Sequence, residues 1–199
     1  MDQILSVSKK GGKDTVNAKI RSSFLFVIGI GIWFYLVDFF TFSYFYGLTG
    51  LNNRLYALGD FMLTPLDLRM WQYILLSDGV KLVGLLAFSS VILFFSSLFR
   101  RTRMPYMLSL ASVFLLLLWK ESGWGGKNAV WRLFNPMEIL ENKELFQNTA
   151  FFNVLGYPVH ECLGVILSVM LLAAIFIRAT KCMGGGNAWL GKRMGRGTK

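Results

Sequence analysis

Residues 22–46 read SSFLFVIGIGIWFYLVDFFTFSYFY, and Asp38 is the one charged residue among the 25. At about 1.5 Å of rise per residue, a helix of this length crosses a hydrocarbon core of roughly 30 Å with room for tilt. Its second half, FFTFSYFY, has the composition of an aromatic belt at a membrane interface. Twenty-one mostly polar residues precede it. The stretch is too long and too aromatic for the apolar segment of a cleaved signal peptide, so it reads as a retained span.

Working outward, three further apolar blocks follow. Residues 47–70 form a connector punctuated by Gly47, Gly50, Asn52, Asn53 and Pro65. Block two runs from Trp71 to Phe99, with Asp78 and Lys81 interrupting its first part. The expected arrangement is an interfacial start followed by a span over 82–99. Arg100-Arg101-Thr102-Arg103 is a tight basic turn, and block three covers 104–119, with Pro105 suited to a first helical turn. Residues 120–157 are a long loop broken by Gly125-Gly126, Asn135-Pro136 and Gly156-Tyr157-Pro158. Within it, Met137 to Phe146 predicts a short amphipathic helix at the membrane surface. Leu133, Met137, Leu140 and Phe146 would supply an apolar side to helical turns flanking Asn135-Pro136, with Glu138, Glu141 and Glu144 facing water. Block four covers 158–177.

The fold class expected is all-α: a multi-pass membrane bundle of about four helices with an interfacial or re-entrant outer loop. Residues 1–21 are a basic lead, 22–178 the transmembrane domain, and 179–199 a basic, glycine-rich, flexible tail. Composition agrees. Hydrophobic residues make up 54% of the 199 and charged residues 16%, against roughly 25% charged in soluble domains. Mean hydropathy is +0.50. This excludes intrinsic disorder and argues against a soluble globular enzyme.

The chain carries 21 Lys+Arg against 11 Asp+Glu, a formal net charge of +10. Because the basic residues sit between apolar blocks, they point to lipid headgroups and topology rather than to nucleic acid. Fourteen lie in the lead, the 100–103 turn and the tail, and six in the connector and outer loop. The positive-inside rule therefore expects both ends of the chain in the cytoplasm. Cys162 and Cys182 flank block four. About 30 Å of helix would separate them, and a disulfide needs Cα atoms within about 7 Å, so they are not expected to pair.

The candidate path-lining residues are Asp38, Asp78, Lys81, His160 and Glu161. Two readings fit Asp38: a functional carboxylate inside the span, or an interfacial one among headgroups. Asp78 and Lys81, three apart, share a helix face and either line a path or anchor the helix at the interface. His160-Glu161 follows a Gly-Tyr-Pro break. It is the single histidine, without an HExxH pattern or a set of metal ligands, and an interfacial pair at a helix start fits better than catalysis. Ser89-Ser90 and Ser96-Ser97, with Gly29 and Gly31, are small residues suited to close helix packing. There is no Walker-type GxxxxGK[ST] and no GxSxG. No catalytic, cofactor-binding or metal-binding residues are assigned, and no cofactor is expected.

Several strings together resemble bacterial export-type (type-2) ABC transporter permeases: KKGGKDTVNAKI before the first span, the connector YGLTGLNNRLYALGDFMLTPLDLRMWQYILL, the span KLVGLLAFSSVILFFSSLFRRT, and the breaks in FNPMEIL and FFNVLGYPV. The likeness covers residues 9–178 and the C-terminal two-thirds of such permeases, which usually have six helices per half. It implies an exporter subunit without enzymatic activity of its own, working in the bacterial cell membrane as a dimer or larger membrane complex. A separate ATP-binding subunit would contact Lys9, Lys10, Lys13 and Lys19 in the lead. It also implies an outer loop that is re-entrant and closes the outer end of the path. Two other classes remain open: a non-transporting immunity or assembly factor, and an intramembrane enzyme.

Overall fold

The computed structural model describes residues 11–62, 64–99, 103–121, 135–147, 151–154 and 157–194. It is an all-α multi-pass bundle. Four helices are long and apolar enough to cross a membrane: α1 (Gly11–Tyr46), α2 (Met70–Leu98), α3 (Arg103–Glu121) and α6 (Glu161–Met194). Two short helices, α4 (Pro136–Leu140) and α5 (Lys143–Gln147), and a hairpin of β1 (Phe151–Val154) with β2 (Tyr157–His160) fill the stretch before α6.

The centre of the bundle is α2, which packs against α6, α1, α4 and α3. Val80 and Ala87 of α2 meet Val165 and Val169 of α6 in the buried core. Small residues set the close contacts. The Ser23 and Ser89 hydroxyls share a hydrogen bond of 2.9 Å between α1 and α2. A Cβ on Gly31 would lie 3.4 Å from Leu82. Gly29 faces open space, so only one of the two glycines expected at a contact serves one. Ser89 and Ser90 are buried and Ser96 is exposed. Elsewhere the spans present large side chains outward, among them Phe26, Trp33, Leu115 and Leu167. Lipid tails are as apolar as leucine, so such faces gain nothing by turning inward.

Block two is one continuous 29-residue helix from Met70, so the expected interfacial start and the span share one element. Its start is fixed by the connector: the Arg69 N–H donates to Gln72 Oε1 at 2.9 Å, and Met70 and Trp71 N–H donate to the Asn53 and Leu51 carbonyls. The last span begins at Glu161, because Pro158 lies in β2, paired with Asn153 in an antiparallel register. Residues 158–160, counted in block four, belong to that strand. Finally, Glu138 is buried rather than facing water. The last helix also continues beyond the apolar block to Met194. Cys162 and Cys182 are both free.

Candidate functional site

The loop before α6 does not lie flat on the bundle. Asn135 caps α4, its Oδ1 accepting from the Met137 N–H at 3.0 Å, with Pro136 in the first turn where its missing N–H costs nothing. Ile139 is fully buried and reaches Gly84, where a Cβ would meet Ile139 Cγ2 at 3.0 Å and Leu140 Cδ2 at 3.2 Å. Gly84 is the middle residue of α2, so the tip of α4 reaches the midpoint of that helix.

The return path is pinned by polar contacts. Asn142, 2% exposed, is held twice by one residue of α2. It accepts from the Ser77 hydroxyl at 2.9 Å and donates through Nδ2 to the Ser77 carbonyl at 2.8 Å. Hydrogen-bonded polar groups of this kind are tolerated in a low-dielectric setting, whereas unpaired ones are not. Leu145 and Phe146 are then fully buried, with Tyr73 edge-on to both Phe61 and Phe146. Thr64 Oγ1 donates to the Phe146 carbonyl at 2.7 Å. At the rim, Lys143 pairs with Asp60 at 2.7 Å, and Lys120 at the end of α3 pairs with Glu141. Accepting its hydrogen bond, the Asp60 carboxylate holds the Lys143 amine above the usual lysine range.

This docked segment walls a pocket of about 680 Å³ between the far end of α1 and the start of α2. Tyr35, Asp38, Phe39 and Phe42 come from α1, and Tyr73, Ser77, Asp78 and Lys81 from α2. Asp78 and Lys81 are 3.7 Å apart, each about one-third exposed. Three of the five candidate path-lining residues thus share one cavity: Asp38, Asp78 and Lys81.

The other two lie outside it. His160 ends β2, its ring edge-on to Phe151 at 5.4 Å and its Nδ1 accepting from the Cys162 N–H at 3.2 Å. Glu161 is 1% exposed at the start of α6. Among the described residues no group of His, Cys, Asp and Glu is placed to hold a metal ion. Of the lead lysines, Lys19 is exposed on α1 and Lys13 lies in its first turn, while Lys9 and Lys10 fall outside the described residues. Sequence reasoning missed Tyr35, Tyr73, Ser77 and Asn142. Asn142 gave no signal, but a serine next to Asp78 in an apolar helix was a clue to a polar partner.

No protein-family model matches the chain, and no curated protein or solved structure is significantly similar to it.

Proposed function

We propose that the chain is the membrane subunit of an ABC exporter, moving a substrate across the cell membrane with a separate ATP-binding subunit. One observation carries this reading: a short helical segment seated against the middle of α2 at Gly84, walling a mostly apolar pocket between two spans that holds several charged side chains. Such a wall can alternate between closing a path and opening it. The unbroken 36-residue α1, about 54 Å long, supplies a lever. It carries Lys13 and Lys19 at one end and Asp38 and Phe42 at the pocket. An ATP-binding subunit that closes on nucleotide would tilt α1 from its basic end and so alter the far wall. ATP hydrolysis belongs to the partner, and both termini and the partner are cytoplasmic in this reading.

Affinity capture of the tagged full chain from its native membrane, followed by mass spectrometry, tests the partner. A stoichiometric protein carrying a Walker A sequence is expected. Capture of an intact, membrane-inserted chain without one would favour a non-transporting immunity or assembly role. Orientation is checked separately with a membrane-impermeant thiol reagent on intact cells. Asn153→Cys, on the exposed side of the hairpin, should be labelled, whereas the exposed native Cys182 should react only after lysis.

A further inference from the structure

We propose that the pocket between α1, α2 and the docked loop binds an amphipathic organic cation, a positive charge carried on an apolar body. This is a statement about a binding site, and it stands whether or not an ATP-binding subunit docks.

The size comes first. A volume of about 680 Å³ falls within the roughly 300–1,000 Å³ typical of small-molecule sites. The charges come next. The lining holds four carboxylates, Asp38, Asp78, Glu141 and Glu144, against two amines, Lys81 and Lys143. Both amines are engaged: Lys81 with Asp78, and Lys143 with Asp60, which is not part of the lining. Glu141 is held by Lys120, also from outside, and Glu144 is engaged as well. Asp38 makes no ion pair or hydrogen bond among the described residues. The Asp78–Lys81 ion pair, at 3.7 Å, commits both partners, which leaves Asp38 as the unpaired charge of the lining. The available valence is therefore negative, and an anion would find no uncommitted cation there.

The walls specify the rest of the ligand. Tyr35, Phe39, Phe42, Phe61 and Tyr73 line the same pocket as these carboxylates. Ring faces attract cations and pack against apolar bodies. A small hydrated ion would make no use of the exposed Phe39 ring, and a neutral apolar molecule would make no use of the exposed Asp38 carboxylate.

The test uses the purified full chain in nanodiscs of zwitterionic phosphatidylcholine, with rhodamine 6G as a fluorescent amphipathic cation read by anisotropy. Saturable binding is expected. Asp38→Asn should weaken it by about tenfold or more, the scale of one lost charged contact, and Asp38→Glu should largely retain it. Phe42→Ala, at a half-exposed ring, should weaken it several-fold. The anionic dye anilinonaphthalene sulfonate should not compete. Absence of saturable binding to the unmodified chain would overturn the proposal. So would unchanged affinity in Asp38→Asn, or competition by the anion.

Discussion

The docked loop and α3 are both apolar, and the bundle treats them in opposite ways. Residues 135–147 are a short interrupted stretch, yet Ile139, Leu145 and Phe146 are fully buried. The 19-residue α3 crosses a membrane's thickness with Phe114, Leu115 and Leu118 largely exposed. In water the longer and more leucine-rich element would be the better buried. In lipid, apolarity decides only that a segment is inserted. What packs is what has shape and polar partners. The loop has Asn135 as a cap, Asn142 clamped on Ser77, and Gly84 as a notch for Ile139. In α3, Ser109 and Ser112 turn their hydroxyls back to carbonyls of their own helix, which satisfies them without a neighbour.

This contrast can be broken most directly at Phe146. Phe146→Ala empties a fully buried site among Phe61, Tyr73 and the loop, and should cost about 3–5 kcal/mol of unfolding free energy. Leu115→Ala, on a side chain 65% exposed, should stay within about 0.5 kcal/mol. Denaturant titration of both variants in mixed micelles measures the difference. Equal losses would mean that the loop is not docked more firmly than α3.

A smaller effect is expected at the polar clamp. Asn142→Leu removes both hydrogen bonds to Ser77 and should cost about 1–3 kcal/mol. Ser77→Ala removes only the hydroxyl contact, leaving the Asn142 Nδ2 bond to the Ser77 carbonyl. A double-mutant cycle should therefore give a coupling below the full Asn142 loss, near the roughly 0.6 kcal/mol usual inside membranes. Zero coupling would show that the hydroxyl and amide do not interact.

The spans were legible because length and apolarity suffice to place a helix in lipid. Asp38, Asp78 and Lys81 stood out singly for the same reason: each interrupts an apolar run. Their convergence was not legible, since it depends on how α1 meets α2. The loop misled in two places. YPVH overlaps the start expected for block four, and only its pairing with FFNV marks it as a strand. Glu141 and Glu144 are exposed as expected, whereas Glu138 is buried, because the segment is two short helices with a break at Asn142 and not one regular helix. The depth reached by Ile139 rested on Gly84, a glycine that reads in sequence as one more small residue in a span.

That glycine gives the smallest and most discriminating effect. Alanine in a helix interior is favoured over glycine by about 0.8–1.0 kcal/mol, so a substitution on an unpartnered face should stabilise. Gly79→Ala meets that condition, with nothing within 4 Å of the new methyl. At Gly84 the same methyl would lie 3.0 Å from Ile139 Cγ2 and 3.2 Å from Leu140 Cδ2. Ile139 is fully buried and has no room to withdraw. The crowding, of the order of 1–3 kcal/mol, should exceed the propensity gain and leave Gly84→Ala destabilised by about 1 kcal/mol. Adding Ile139→Ala removes the branch that clashes, so the Gly84→Ala substitution should become neutral or favourable in that background. Opposite signs at two glycines five residues apart on one helix would locate the loop's tip against α2. A stabilising Gly84→Ala in the otherwise unmodified chain would place the tip elsewhere, and the wall of the pocket with it.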